Sequence, residues 1–338
     1  MEQLKLACWN VEWMDKLWPN LVRSKFHVDR RKYVAEEIRL IDADVMCIIE
    51  GPANPVDMAS YVEEYLPEYQ LISRPDGEDW GLEGRQWIYF ITKPGVVENV
   101  SLMPVVEWYE KAPKSWPVHY WGELKENKHD HYRLPQVLRF LWKGQELEIV
   151  GAHLKSKINF NSPFEPGSNI WKKSFVTEAL KARIKLATEA TNIRSYLSAR
   201  FEEEPNPAIF LMGDLNDGPG KERIEREFMF FDLLSVLQGD VYFSKKFLNH
   251  ALFDYSQNLR WSTYFKDKTD PNRNPHILLD HILFTQSLVN SSLPIQVQPG
   301  AGKVEHAYHN RVNAGLSSKK QTSDHRPVSV ILKYIPNQ

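Results

Sequence analysis

Apolar runs of strand length recur along the chain, at residues 4–11, 44–50, 86–92, 136–142, 146–154, 208–215, 277–284 and 327–335. Several are near-continuous rather than alternating, the pattern of strands covered on both faces by helices or a second sheet. Helical spacing separates some of them. Residues 29–41 carry Val34, Ile38 and Ile41 at that spacing, and 57–66 reads as a short helix. Residues 175–200 place Val176, Leu180, Ile184, Ala187, Ile193 and Leu197 on one stripe of an otherwise charged surface. No internal repeat or low-complexity linker interrupts the chain. The stretches 104–135 and 157–172, rich in Pro, Trp, Tyr, His and Asn, read as long ordered loops, and 300–321 as a further one. The pattern predicts an α/β fold in one domain over residues 1–338, with insertions near 104–135, 157–172 and 300–321.

Composition narrows this only a little. The 338 residues carry 42 Lys and Arg against 44 Asp and Glu, a formal charge of −2, so net charge gives no sign of tight non-specific nucleic-acid binding. The apolar runs are too short for a membrane span. Position 9 already lies inside the first run, which predicts no cleavable leader and a cytoplasmic protein. Two cysteines make no disulfide framework. Strand alternation puts Cys8 on the face of Asn10 and Cys47 on the face opposite Glu50. The two thiols are therefore expected in different layers, as small core residues.

Chemistry enters at the ends of the runs. The segment AIFLMGDLNDGPG (208–220) passes from an apolar strand straight into two acids and an amide. Burying a lone carboxylate is costly, so Asp214 and Asn216 must face a partner. Asp217 reads as a turn residue. Other runs end the same way, with Asn10, Glu50, the pair His153 and Lys155 (two apart, hence one face), Asp280, and Asp324–His325 just before the last strand. Gathered at one rim, Glu50, Asp214, Asp280 and Asp324 would repel without a cation. Carboxylates and amide oxygens without thiolates suit Mg2+, with Mn2+ as a substitute, rather than structural zinc. Acids, a metal and cationic donors together suit a phosphate ester. The histidine pairs His129/His131, His276/His281 and His306/His309 lack a zinc pattern and read as surface or packing residues.

Six pieces now stand in order: WN (9–10), IIE (48–50), HLKSK (153–157), GDLND (213–217), LDHIL (279–283) and SDHRPV (323–328). In this order the chain resembles the endonuclease/exonuclease/phosphatase superfamily, the fold of pancreatic deoxyribonuclease. The resemblance implies a four-layer α/β sandwich, with two packed central mixed β-sheets flanked by helices and the site at one edge. It implies Glu50 as the main metal ligand, helped by Asn10 and Asp324. Asp214 and Asn216 would orient water and phosphate. His325, paired with Asp280, would stabilise the transition state or act as acid, and His153 would bind the scissile phosphate. Lys155 is expected near the phosphate. Arg85, and Arg133 in a similar place, stand before strands as further phosphate contacts.

Three functions compete. The first is a divalent-metal-dependent phosphodiesterase, a nuclease leaving 5′-phosphate and 3′-hydroxyl ends on a nucleic-acid substrate. The second keeps the site but takes a lipid or small-molecule phosphoester, sphingomyelinase-like or inositol-phosphate-like. Against it, the inositol-phosphatase pattern of Trp-x-Gly-Asp and Trp-Cys-Asp-Arg is replaced here by Leu-Met-Gly-Asp and Leu-Leu-Asp-His. The third is a binding module that has lost catalysis, which the full set of site positions argues against. The aromatic segment 104–123, with Trp108, Tyr109, Trp116, Tyr120 and Trp121, is read as a loop packing its own small core, with base stacking or lipid contact as alternatives. Arg311, Lys319 and Lys320 are placed to meet a polyanion or to lie in a solvated loop.

Overall fold

The computed structural model describes residues 2–17, 25–120, 125–229, 232–318 and 320–336, apart from the side chains at 25–28 and 233. Trp121 and Lys319 lie outside the described residues. In chain order the strands are β1 (Gln3–Asn10), β2 (Val45–Gly51), β3 (Gln70–Ile72), β4 (Trp87–Thr92), β5 (Glu98–Leu102), β6 (Ser115–His119), β7 (Glu126–Asp130), β8 (Gln136–Trp142), β9 (Gln145–His153), β10 (Ile209–Asp214), β11 (Leu248–His250), β12 (Thr263–Tyr264), β13 (His276–Ile277), β14 (Asp280–Thr285), β15 (Ile295–Val304) and β16 (Val328–Tyr334). The helices are α1 (Lys25–Ile41), α2 (Pro55–Tyr65), α3 (Val105–Lys111), α4 (Lys173–Glu203), α5 (Arg223–Phe228), α6 (Leu233–Gln238) and α7 (His306–Val312).

Two six-stranded mixed sheets form the centre, in the orders β15-β16-β1-β2-β4-β3 and β11-β14-β10-β9-β8-β5. Each has a parallel pair at its middle, β1 with β2 and β9 with β10, and antiparallel neighbours outside it. The middle strands are the near-continuous apolar runs. β2, β10 and β14 are buried at every position because one face meets the other sheet and the other meets further structure. One apolar cluster joins the two sheets, with Trp9, Phe90, Phe140 and Phe210 among its members. A second fills the space between the β9–β10 region and α3, α4 and α6, around Trp108, Tyr196 and Leu197. This is the expected four-layer sandwich. The sheets come so close at Gly151 that a Cβ there would sit 2.8 Å from Cys47 Sγ.

Several local expectations change. The thiols do not occupy different layers: Cys8 and Cys47 are register partners on adjacent parallel strands, and both are fully buried in the inter-sheet cluster. Strand alternation fails at Glu50, which has φ +64° where the β2–β4 register shifts between Ile48 and Gly51. That bulge turns the Glu50 side chain toward the face that Cys47 already occupies. The 104–135 stretch is not a loop. It holds α3 and the β6–β7 hairpin, and its aromatic residues dock on α4, where Trp108 stacks on Tyr196 at 4.4 Å. The 300–321 stretch holds the end of β15 and all of α7. The 277–284 run divides into β13 and β14. On α4 the fully buried positions in the first half are Phe175, Ala179, Arg183, Leu186 and Glu189, one position away from the predicted stripe, with Val176 and Leu180 only partly covered.

Candidate active site

The parallel strands β1, β2, β9 and β10 all end at one edge of the sandwich, where β14 begins. Their termini bring polar side chains together from both sheets. Asn10, the last residue of β1, is the bridge: its Nδ2 donates to Glu50 Oε1 at 3.0 Å and to Asp214 Oδ2 at 2.9 Å. Its own Oδ1 accepts from the Glu12 N–H at 2.9 Å. Asn10 therefore clamps two carboxylates and turns its carbonyl away from them. Glu50 is fixed at its other oxygen by the Trp13 N–H at 2.8 Å.

Asp214 closes β10. Its Oδ1 accepts from the Asn216 N–H at 2.9 Å, and Asn216 Nδ2 donates to Leu154 O at 3.0 Å. Asn216 has φ +52°, a conformation that Asn tolerates and that tight turns need. His153 and Asp280 are the register partners of Asp214 on either side. His153 Nε2 lies 3.9 Å from Glu50 Oε1 and 3.7 Å from Asp214 Oδ2. Asp280 Oδ2 pairs with His325 Nδ1 at 2.7 Å, which leaves His325 Nε2 4.0 Å from Asp214 Oδ2. The loop carrying His325 is tied to β1, since Trp9 Nε1 donates to His325 O at 2.9 Å and Ser323 Oγ to Asn10 O at 2.6 Å.

Burial and charge set the protonation states. Burial pushes the Asp214 carboxyl up, against the pull of His325 and the hydrogen bonds from Asn216 and Asn10. Burial would depress the His325 imidazole, but the carboxylates of Asp280 and Asp214 outweigh it and hold the ring well above its ordinary value. His153 goes the other way: burial, then Arg133 and His325, push it well below, so the ring is neutral. Its Nδ1 and Asp280 Oδ1 are buried without a hydrogen-bond partner among the described residues.

The donor atoms fit a hard cation. Glu50, His153 and Asp214 each offer an atom, and these lie within 4.8 Å of one another. Asp214, Asp280 and His325 make a second such group. Two of the three donors in the first group are carboxylate oxygens brought together by one amide, an arrangement that a divalent ion stabilises.

The other predicted residues stand outside this cluster. Asp324 is 63% exposed on the rim, 3.9 Å from His325 Nε2, and is not among the groups converging with Glu50. Lys155 does not share the face of His153, because β9 ends at His153. The Lys155 side chain is exposed, its N–H donates to Glu189 Oε2 at 2.8 Å, and the charges nearest it are Arg133, Glu189 and Lys185. Arg85 is half-exposed and paired with buried Asp15 at 2.6 Å. Arg133 holds the end of β9 through His153 O and Leu154 O at 3.2 and 3.1 Å. Asp217 joins a buried ionic cluster with Lys157 at 2.5 Å, alongside Arg183, Glu222 and Glu225. His281 turns from Asp280 to donate to Asp217 O at 2.8 Å and meets His250 at 2.9 Å. Sequence reading missed three supports. Arg30 binds the carbonyls of Val11, Glu12 and Thr322, Ser262 Oγ accepts from the Leu279 and Asp280 N–H groups, and Glu12 joins the rim beside Asp324. Only Glu12, two places after Asn10, carried a signal in its sequence position.

No family model matches the chain, and no curated protein does. Solved structures do match over nearly all of it. Truncated Caenorhabditis elegans TDP2 is 13% identical, with 98% of this chain and 97% of that one covered at a TM-score of 0.53. D. rerio TDP2 complexed with a single-strand DNA product is 13% identical, with 98% and 100% covered at 0.51. A Bacteroides thetaiotaomicron mannosyl-6-phosphatase is 15% identical, with 98% and 100% covered at 0.50. An endonuclease/exonuclease/phosphatase family protein from the same bacterium aligns equally well, at 0.50. The chain has the endonuclease/exonuclease/phosphatase fold.

Proposed function

We propose that this chain, built on the endonuclease/exonuclease/phosphatase fold, is a divalent-metal-dependent phosphodiester hydrolase acting on nucleic acid. One observation carries the reading. Six side chains from two sheets, Asn10, Glu50, His153, Asp214, Asp280 and His325, converge on one buried spot with His325 Nε2 turned into it. A bound cation would be held by Glu50 with Asp214 beside it, and it would neutralise the phosphoryl oxygens.

The remaining work falls to the chain. Asp214, its carboxyl raised by burial, is suited to take a proton from water near neutral pH. The water oxygen bonds to phosphorus as the bond from phosphorus to the 3′-oxygen breaks. His325, kept in orientation and charge by Asp280, gives its Nε2 proton to that leaving oxygen. The products are a 5′-phosphate and a 3′-hydroxyl. Neutral His153 donates to a phosphoryl oxygen without adding charge. The DNA product held by the D. rerio relative supports the substrate, and the mannosyl-6-phosphatase keeps a small phosphoester as the second reading.

The test is a panel of duplex and single-stranded DNA, RNA, an aryl phosphodiester, sphingomyelin and inositol phosphates, with Mg2+, Mn2+ or chelator. Nucleic acid should be cut in Mg2+ and spared in chelator. Asp214→Ala and His325→Ala should each lower turnover by about 10³-fold while the fold persists. Activity indifferent to chelation would end the mechanism, and cleavage of sphingomyelin alone would end the substrate assignment.

A further inference from the structure

A groove of about 330 Å³ opens directly beside Asp324, lined by Tyr264, Asn310, Gln321, Ser323 and Arg326 over a floor of His309 and Asn313. We infer that it is a nucleoside-binding subsite for the group esterified to the phosphate on the His325 side. The inference rests on the phosphodiesterase reading and adds to it the part of the substrate that the groove recognises.

The groove is built to a fixed distance from the site. Thr263 forms a backbone bridge with His325, and its Oγ1 donates to Asp324 O at 3.0 Å. The Arg326 N–H donates to Ser262 O at 2.7 Å, and the hydroxyl of the same serine accepts the Asp280 N–H. Tyr264, the next residue along β12, is thus locked to the Asp280–His325 pair. The floor is equally firm: His309 bonds buried Glu37 at 2.9 Å, and Asn313 accepts from the Thr322 N–H at 2.8 Å.

The lining chooses the ligand. Tyr264 is 52% exposed, with His276 meeting its ring edge-on at 5.4 Å, so an aromatic surface is left in solvent on a braced side chain. Such a surface stacks on a planar ring. Gln321 presents an amide, a donor and an acceptor together, the chemistry that reads a base edge, while Asn310 offers its amide N–H beside Arg326, which donates to its Oδ1 at 3.5 Å. Arg326 is held over Trp261 at 4.0 Å, with its Nε buried and without a hydrogen-bond partner among the described residues. With one carboxylate (Asp324) and one guanidinium (Arg326) in the lining, the groove carries no net charge and suits a neutral, ring-bearing group. Its volume is in the range of small-molecule sites. Recognition through one ring also suits a chain with a net charge of −2, which does not need to grip a long polyanion.

The experiment uses the whole chain in Mg2+. Thymidine 3′-monophosphate and glucose 6-phosphate are titrated by calorimetry against the native chain, Tyr264→Ala, Tyr264→Phe and Gln321→Ala. Tyr264→Ala should weaken thymidine 3′-monophosphate by about tenfold, with Tyr264→Phe close to native. kcat/KM for a dinucleotide should fall in step, while hydrolysis of glycerophosphoglycerol, a phosphodiester with no base and no ring, stays unchanged. Unchanged nucleotide binding in Tyr264→Ala would overturn the subsite. So would an equal loss on the base-free ester, or a loss confined to glucose 6-phosphate. Because the titration needs no turnover, failure of the hydrolase reading would show separately, as a chain that binds the nucleotide yet cleaves no phosphodiester.

Discussion

Glu189 is a buried carboxyl on α4 that binds the backbone N–H just past β9, and its charge is poorly met. Burial raises it to about 7, against the Lys155 N–H, Lys185, Arg133 and the Lys155 ammonium. A raised carboxyl holds a proton in the folded state that the unfolded chain has lost, so stability falls as pH rises from about 4.5 to about 7 and is flat above. Glu189→Gln mimics the protonated form. It should therefore match the native chain near pH 4.5 and exceed it at pH 8, by up to about 3 kcal/mol, in urea unfolding at each pH. A native chain as stable as Glu189→Gln at pH 8 would remove the effect. Residues in the left-handed region show the opposite exchange. Glu50 and Asn216 both adopt positive φ at the rim, at a cost of order 1–3 kcal/mol each, and gain their aim at the site.

At the level of elements, the strand that delivers Asp214 depends on Gly213, which has φ +144° and where a Cβ would sit 1.9 Å from Ala152 O of β9. Gly213→Ala should cost at least about 3 kcal/mol, read as a lowered urea midpoint. Gly220→Ala, also at positive φ but with nothing within 4 Å, should cost about 1 kcal/mol. Equal costs would show that β9 gives way. The central strands could be read from sequence because burial on both faces leaves a continuous apolar run. β15 could not, since Pro299, Gly300 and Gly302 break its pattern where the ladder with β16 shifts register. α7 was hidden by its length and its His and Asn content, and the β6–β7 hairpin by exposed polar strands. The α4 stripe was misplaced because Arg183 and Glu189 are buried through charge partners and hydrogen bonds, which an apolar count does not see.

Across the whole molecule, the order of the polar strand ends was enough to predict both sheets and all six converging residues at their shared edge; what it did not contain was the bulge by which Glu50 reaches it. What the order could not give was distance. It grouped Lys155 with the cluster, though that side chain ends beside α4, and it did not show that Asp324, 3.9 Å from His325 Nε2, stands exposed on the rim. Among the described residues no helix is long and apolar enough to cross a membrane. The sheets meet over Cys8 and Cys47, side by side with no surface exposure and with their thiols raised by burial. Neither sulfur can reach a reagent while the sandwich is closed. Alkylation of the native chain by iodoacetamide should then proceed only as fast as the layers separate, and slow further when Mg2+ is added. The two cysteines would serve as an internal clock for that opening, and rapid labelling in buffer alone would mean that the layers breathe far more than their packing implies.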